Sequence, residues 1–300
     1  MAKHSKKRLR TGVQTAFTAL SNGYLVGFLQ GKIYTGPTKA LCLPGLNCYS
    51  CPGALGSCPI GSLQAVLGSR TFSVSFYVLG FLMAVGALWG RFVCGWLCPF
   101  GLIQDLIYKI PFPKKLKKIP ADRYLKGLKY VILAVFVILL PLFAVDVTGM
   151  GDPWFCKYIC PSGTLMAGLP LLAANTALRS AAGWLFAWKS AILAVILFLS
   201  LLISRPFCRY LCPLGALYGF MNKASFYRLV LDEDLCIHCG KCEEACDLNI
   251  PVLTSQNSME CIRCGDCKNA CPTGALHSTL DQLLTYKTGT GSSCQSPSSK

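Results

Sequence analysis

The chain has 300 residues, with 29 lysine and arginine residues against 13 aspartate and glutamate residues, so its formal net charge is +16. Hydrophobic residues make up 53% and charged residues only 14%, whereas soluble domains carry about 25% charged residues. This composition excludes an ordinary soluble domain and a disordered chain, and the length excludes a small secreted disulfide scaffold. With 19 cysteines, it predicts a membrane protein with many metal-binding thiols.

Four apolar stretches are long enough to cross a bilayer, which requires about 20 helical residues. In chain order they are residues 11–31, 71–90, 127–147 and 184–204. A shorter apolar piece, residues 165–178, contains a glycine and a proline and is interpreted as re-entrant or interfacial. The predicted fold is mainly α: residues 1–230 form a four-transmembrane-helix bundle with re-entrant segments.

The distribution of positive residues orients this bundle. The segments before, between and after the four stretches hold 5, 3, 9, 2 and 9 lysine and arginine residues, with Lys129 at the start of the third stretch counted in the segment before it. Because cytoplasmic loops carry the excess of positive charge, the chain is predicted to be a multi-pass protein of the cell membrane with both termini in the cytoplasm. The charge is attributed to anionic membrane lipid, and nucleic acid is not expected as a partner.

Within residues 1–230 a Cys-Pro-x-Gly element occurs four times, starting at Cys58, Cys98, Cys160 and Cys212. Proline suits the first turn of a helix, so the free amide groups of that turn are predicted to face the sulfur atom, where an anionic cluster is favoured. In copies two to four a second cysteine lies four residues upstream, whereas the first copy has two cysteines farther upstream. Four cations could compensate the thiolate charge: Arg91, Lys157, Arg205 and Arg209.

The predicted topology pairs these copies into two four-ligand sites. Copies two and four follow stretches that end at the cytoplasmic face of the membrane. This predicts an inner site from Cys94, Cys98, Cys208 and Cys212. Copies one and three follow stretches that end at the opposite face. This predicts an outer site from Cys156, Cys160, Cys58 and Cys51, with Cys48 as the alternative to Cys51. One or two [4Fe-4S] clusters are therefore expected in the membrane domain, in addition to those of the C-terminal domain described below. The alternatives are unligated thiols at the inner site and disulfides at the outer site.

Residues 231–280 carry two runs of the spacing Cys-x2-Cys-x2-Cys-x3-Cys, which predicts a small cytoplasmic α+β domain of the bacterial two-cluster ferredoxin type. In that arrangement the fourth cysteine of each run ligates the cluster of the other run. The ligands of two [4Fe-4S] clusters are thus predicted to be Cys236, Cys239, Cys242 and Cys271 for cluster one, and Cys261, Cys264, Cys267 and Cys246 for cluster two. Gly240 and Gly265 are expected where each loop turns. Two structural zinc sites are the alternative, and residues 281–300 are predicted to be a disordered tail.

The predicted spans, the CxxxCP pairs at Cys94/Cys98 and Cys208/Cys212, and the double ferredoxin motif resemble the membrane-bound polyferredoxins of the NapH/MauN type. The resemblance covers most of residues 11–275 and extends to the C-terminal part of the regulator NosR. It implies a 4Fe-4S electron-transfer component that acts between a quinone pool or ferredoxin and a partner redox enzyme. Residues 47–61 and the third cysteine pair depart from relatives that carry only the two inner pairs.

The predicted function is a membrane-bound iron–sulfur protein that relays electrons between a cytoplasmic donor or the quinone pool and a partner redox enzyme, with a path across the membrane if both membrane sites hold clusters. The alternative is a redox-sensing or cofactor-maturation accessory protein. The sequence has no Gly-rich nucleotide fingerprint and no acid–base constellation, so no catalytic residue is assigned and an electron-transfer component is favoured over an enzyme. Asp105 is interpreted as a solvated interfacial carboxylate, with a proton or quinone contact as the alternative.

Overall fold

The computed structural model describes residues 2–69, 76–113, 115–116, 121–144, 151–180 and 182–282. Helices dominate this part of the chain, and a short 3-10 helix covers Pro37–Ala40. The helices are α1 (Ala2–Ser21), α2 (Leu25–Gln30), α3 (Pro59–Leu67), α4 (Phe76–Trp89), α5 (Phe92–Trp96), α6 (Pro99–Lys109), α7 (Asp122–Phe143), α8 (Trp154–Tyr158), α9 (Pro161–Ala174), α10 (Thr176–Ser180), α11 (Trp184–Leu202), α12 (Pro206–Tyr210), α13 (Pro213–Met221), α14 (Lys241–Glu244) and α15 (Asp266–Ala270). The mainly α prediction is confirmed.

A two-stranded antiparallel sheet closes the cysteine-rich C-terminal domain. Its strands are β1 (Leu229–Leu231) and β2 (Leu276–Ser278), and Leu229 pairs with Ser278. The strands bracket both cysteine runs, so the sheet holds the two ends of this domain together. Residues 283–300, which include Cys294 and most of the predicted tail, lie outside the described part of the chain.

Two of the four predicted transmembrane stretches are long apolar helices. Helices α7 and α11 have mean hydropathies of 2.1 and 2.3 and are long enough to cross a membrane. The stretch predicted at residues 11–31 is divided, because α1 ends at Ser21 and α2 begins only at Leu25. Within the stretch 71–90, α4 has 14 residues, short of the about 20 that a span needs, and residues 70–75 lie outside the described part. Over the described residues, the predicted four-helix bundle is therefore not confirmed.

Helices α7 and α9 each contain a widened π-helical turn shortly before a proline. The turns are Leu133–Leu139, followed by Pro141, and Thr164–Gly168, followed by Pro170. A proline inside a helix lacks an amide donor and clashes with the carbonyl group four residues earlier, and a π turn is one way to accommodate it. Both helices thereby continue through their prolines. Helix α9 covers most of the segment predicted to be re-entrant, and its re-entrant placement stays a prediction.

Most cysteines of residues 1–230 lie in the larger of two hydrophobic cores. Cys58, Cys94, Cys98, Cys160, Cys208 and Cys212 are all buried there. Three cysteines of the C-terminal domain, Cys246, Cys261 and Cys264, pack against the same core. The rest of the C-terminal domain has a smaller core around Leu229, Val252 and Leu276. The second cysteine run therefore lies where the two domains meet.

Candidate metal centres

All four Cys-Pro-x-Gly elements begin a helix. Each cysteine is the residue before the helix, and each proline occupies the first helical position of α3, α6, α9 or α13. In the fourth copy the backbone N–H of Gly215 donates to Cys212 Sγ at 3.4 Å. In the other three copies the glycine amide lies near the cysteine sulfur and acts to lower the pKa of its thiol.

The four cysteines predicted for the inner site lie together, and we call them the inner tetrad: Cys94, Cys98, Cys208 and Cys212. They are only 5–7% exposed and close enough to one another to interact electrostatically. Gln104 of α6 joins the two copies, because its Nε2 donates to Cys208 Sγ at 3.3 Å. Its Oε1 accepts from the Phe207 amide at 3.1 Å. Copies two and four thus meet at one place in the core.

The outer cysteines also come together, but with Cys48 in place of Cys51. The thiols of Cys58, Cys156 and Cys160 each interact electrostatically with Cys48. A Cβ atom added at Gly163 would lie 3.6 Å from Cys48 Sγ. The Cys51 thiol instead donates to Asn22 Oδ1 at 3.5 Å. Of the two alternatives that the sequence left open, Cys48 is the one that lies with the other three cysteines, and we call Cys48, Cys58, Cys156 and Cys160 the outer tetrad.

The local backbone accounts for the different surroundings of Cys48 and Cys51. Residues 48–51 form a turn in which the Cys51 amide donates to the Cys48 carbonyl at 3.1 Å. Such a turn sends the two side chains in different directions, and spacing alone does not reveal which one faces the other copies.

Two buried arginines lie beside the inner tetrad. The Arg205 side chain donates to Asp105 Oδ1 from Nε at 2.7 Å and to the Cys94 carbonyl from Nη1 at 2.5 Å. Arg91 donates to Glu260 Oε2 at 3.2 Å and to the Cys208 carbonyl at 3.2 Å. Asp105 is therefore part of a largely buried ion pair, and its interpretation as a solvated carboxylate was wrong. Both arginines place positive charge next to the thiols.

The other two cations expected to compensate thiolate charge are paired elsewhere. Lys157 forms an ion pair with Asp152, and Arg209 forms one with Asp122 at 2.7 Å. At the outer tetrad the nearby cations are two lysines. Lys189 donates to the Cys156 carbonyl at 3.0 Å, and Lys39 donates to the Ala54 carbonyl at 2.8 Å.

Burial dominates the electrostatics of the thiols. Burial raises the pKa of Cys58 to about 12 and that of Cys208 to about 11, although the Gly61 amide and Arg205 act in the opposite direction. Burial also raises the pKa of Glu260, but Arg91 and Lys129 outweigh it and leave the carboxyl group below its ordinary pKa. At Cys58 and Cys208 burial therefore favours the protonated thiol, and a bound metal would have to displace its proton.

The ferredoxin-like domain gathers its eight cysteines around two cavities. Cys236, Cys239, Cys242 and Cys271 line one cavity, and Cys246, Cys261, Cys264 and Cys267 line the other. These are the two cross-paired sets that the spacing predicts. Among the described residues, no group of three or more His, Cys, Asp or Glu side chains is close enough to hold a single metal ion. The four thiolates of a cubane bind four different irons, so two four-thiol cavities suit two [4Fe-4S] clusters.

The two cysteine runs share the same backbone turns. His238 and Arg263 have φ values of 50° and 52°, and Gly240 and Gly265 have φ values of 71° and 80°. A Cβ atom at either glycine would meet nothing within 4 Å, so the left-handed backbone and not crowding accounts for glycine there. The expected turns at Gly240 and Gly265 are present.

The loop that carries Cys261 packs directly on the segment that carries Cys94. Trp96 Nε1 donates to the Arg263 carbonyl at 3.1 Å, and a Cβ atom at Gly95 would overlap with the Ile262 carbonyl oxygen. Asn222 fastens the same loop, because its side-chain amide donates to the Cys261 carbonyl at 2.8 Å. The cluster-two cysteines and the inner tetrad are therefore neighbours.

Several supporting residues were not identified from the sequence. Gln64 and Gln104 occupy the same position in the first two Cys-Pro-x-Gly copies, and this shared residue was the signal that could have revealed them. Gln64 Nε2 donates to Cys156 Sγ at 3.3 Å, and its Oε1 accepts from the Phe155 amide at 3.0 Å. Nothing in the sequence pattern marks Asn222 or Glu260, because their partners lie far away along the chain.

Two families of 4Fe-4S binding domain match this chain. One matches residues 71–120, 133–173 and 184–230, which contain the CxxxCP pairs of the second, third and fourth copies. The other matches residues 229–251 and 256–277, which contain the two ferredoxin runs. Cys48 and Cys58 lie outside both sets of matched residues.

Curated proteins from archaea and bacteria are also similar to the chain. An uncharacterized protein of Methanocaldococcus jannaschii is 31% identical over 177 residues, which cover 57% of each chain. The methylamine utilization ferredoxin-type protein MauN of Methylorubrum extorquens is 28% identical over 64% of this chain and 55% of its own. The ferredoxin-type protein NapH of Haemophilus influenzae is 27% identical over 64% of this chain and 52% of its own. The similarity thus spans a little over half the length of these relatives, and no solved structure matches.

Proposed function

We propose that this chain, a ferredoxin-type 4Fe-4S protein related to NapH and MauN, relays electrons across the membrane between a cytoplasmic donor and a partner redox protein. A soluble ferredoxin or the quinone pool is the proposed electron donor. When bound, each [4Fe-4S] cluster takes up and releases electrons one at a time. The chain itself holds the clusters, excludes water from them and keeps the distances between them short.

The contact between the cluster-two loop and the inner tetrad carries this proposal. Because electron tunnelling falls steeply with distance, successive centres must be close, and the packing of Ile262 on Gly95 brings the Cys261 and Cys94 segments into direct contact. At the other end of the ferredoxin-like domain, Cys239 is exposed. An exposed end and a buried end are what a relay between a soluble protein and the membrane requires.

Ion pairs hold the two domains in this arrangement. Arg10 of α1 pairs with Asp266 of the ferredoxin-like domain and with Asp105 of α6, both at 3.4 Å. Arg91 and Lys129 pair with Glu260, the residue before Cys261. These carboxylates and cations come from different elements, so the docked position supports a fixed path and not a mobile ferredoxin domain.

Helices α7 and α11 supply the proposed membrane placement. Near the start of α7, Asp122 pairs with Arg209 beside the inner tetrad, while the end of α7 packs against α3, next to Cys58. Helix α11 runs the other way, from Lys189 at the outer tetrad to Leu202 just before Arg205. The two tetrads are thus proposed to lie at different depths, with the ferredoxin-like domain and the N-terminus on the cytoplasmic side.

The proposal is tested with the full chain in sealed lipid vesicles that contain dithionite, with ferricyanide outside. Wild-type vesicles should reduce ferricyanide much faster than protein-free vesicles. Cys208→Ser removes one inner thiol and should bring the rate back to within about twofold of protein-free vesicles. Equal rates for wild-type and protein-free vesicles would refute the proposed transmembrane relay.

A further inference from the structure

We propose that the outer tetrad, Cys48, Cys58, Cys156 and Cys160, is a ligand set for a further [4Fe-4S] cluster, and that the segment between Pro44 and Cys48 connects it to the inner tetrad. The proposal deepens the relay described above and takes its role from it. The cluster site itself is inferred independently, from the construction of the tetrad.

The outer tetrad repeats the construction of the inner tetrad. In each, one Cys-Pro-x-Gly helix supplies a glutamine whose Nε2 donates to the first cysteine of the partner pair, at 3.3 Å in both cases. The same glutamine accepts from the backbone amide just before that cysteine, at 3.0 Å from Phe155 and 3.1 Å from Phe207. Two unrelated groups of packed thiols would have no reason to share this crossed arrangement.

Two glycines mark where sulfur atoms from different segments meet in the outer tetrad. A Cβ atom at Gly61 would lie 3.9 Å from Cys156 Sγ, and one at Gly163 would lie 3.6 Å from Cys48 Sγ. Each glycine also follows a tetrad cysteine by three residues, Gly61 after Cys58 and Gly163 after Cys160. Each glycine therefore stands between a sulfur of its own copy and one from another segment, as expected around a shared cluster.

Two cations balance the charge of an anionic cluster at this site. Lys39 and Lys189 interact electrostatically with Cys48, and their ammonium groups donate only to carbonyl oxygens in the described part of the chain. Lys39 is 6% exposed. A buried ammonium group without a carboxylate partner is costly, and an adjacent anionic cluster would offset that cost.

The segment from Pro44 to Cys48 links the two tetrads. The Leu46 amide lies near Cys98 Sγ of the inner tetrad, and two residues later Cys48 belongs to the outer tetrad. A Cβ atom at Gly45 would lie 3.2 Å from the Cys98 Cα atom. Tyr218 is fully buried, donates to the Pro44 carbonyl at 3.2 Å, and interacts electrostatically with Cys98 and Cys58. The short piece of chain from Leu46 to Cys48 therefore connects one tetrad to the other.

The test is the iron and acid-labile sulfide content of the full chain, purified anaerobically in detergent. The wild type should hold ~16 irons, with four in each of four cubanes. Cys48→Ser should hold ~12 irons or convert one centre to a three-iron form. Cys51→Ser, the matched control three residues away, should keep ~16 irons.

A second variant keeps every thiol, in case Cys48→Ser does not fold. Lys189→Met removes a positive charge beside Cys48 and should make the midpoint potential of one paramagnetic signal more negative while the other signals stay unchanged. That signal should be the one that is missing in Cys48→Ser.

Three results would overturn the inference: a wild type with ~12 irons, loss of iron from Cys51→Ser but not from Cys48→Ser, or disulfides among the four outer cysteines in alkylated, anaerobically denatured protein. In each case the inner tetrad could still hold a cluster. A wild type with only ~8 irons would contradict the proposed relay as well.

Discussion

The inner and outer tetrads are built on the same plan but are stabilised by different charges. Both combine two Cys-Pro-x-Gly copies through a bridging glutamine, Gln104 in the inner tetrad and Gln64 in the outer. Beside the inner tetrad, Arg91 and Arg205 each pair with a carboxylate from a distant segment. Beside the outer tetrad, Lys39 and Lys189 donate to carbonyl oxygens.

This difference shows what each tetrad is connected to. The carboxylate partner of Arg91 is Glu260 in the ferredoxin-like domain, so the inner tetrad and that domain share one ion-pair network. The outer tetrad depends instead on the loop that carries Cys48. The same repeated unit therefore serves one site that is coupled to the ferredoxin-like domain and another that is coupled to an N-terminal loop.

The largest expected effect is that of Arg205→Met, which would leave Asp105 largely buried without its hydrogen-bonded partner, with Arg10 and Lys109 farther away. Removing one partner of a buried ion pair costs about 3–5 kcal/mol. The matched variant Lys189→Met leaves no carboxylate behind and should cost only about 1 kcal/mol for one hydrogen bond. Unfolding of both proteins in detergent, followed by circular dichroism, measures the difference. Equal destabilisation by the two variants would show that the charge contrast between the tetrads has no energetic consequence.

A smaller effect is expected for Gly95→Ala, which places a methyl group against the Ile262 carbonyl oxygen. Overpacking of this kind costs about 1–3 kcal/mol, and it should act on the docking of the ferredoxin-like domain. Limited proteolysis between residues 222 and 229 should become faster. Gly80→Ala is the control, because a Cβ atom at Gly80 meets nothing within 4 Å. Unchanged proteolysis of Gly95→Ala would mean that close docking at this contact is not required.

The smallest effect separates the two tetrads from each other. Gln104→Leu and Gln64→Leu each remove one N–H donor to a cysteine sulfur, and such bonds stabilise the more negative, reduced cluster. One hydrogen bond is worth about 1 kcal/mol, which corresponds to a potential lowered by roughly 40 mV for one electron. Redox titration should show Gln104→Leu shifting one signal and Gln64→Leu a different one. A shift of the same signal by both variants would contradict two separate sites.

Local patterns in the sequence anticipate the ferredoxin-like domain well. The cross-paired cysteine sets and the turns at Gly240 and Gly265 follow from spacing, and the structure places both sets around separate cavities. The resemblance to NapH and MauN is likewise confirmed by the family matches. These features depend on residues close together in the chain.

The pairing of the inner tetrad was predicted from the repeated element, but other features that depend on distant partners were not anticipated. The choice of Cys48 over Cys51 depends on a turn and on α9, and the pairing of Asp105 joins residues a hundred positions apart. The first predicted stretch is divided between α1 and α2, because hydropathy averages over Asn22 and Gly23, which lie between these helices. Composition shows that a segment is apolar, but it does not show where its helix stops.

The most direct test of the central claim, that the cluster-two site and the inner tetrad are adjacent electron-transfer centres, is the spin relaxation of the inner centre by electron paramagnetic resonance. In the fully reduced wild type, the nearby cluster-two spin should make the inner signal relax faster. In Cys264→Ser, which removes a cluster-two thiol, the inner signal should relax more slowly at the same temperature. An inner signal with identical relaxation in the two proteins, or the absence of any such signal, would contradict the account.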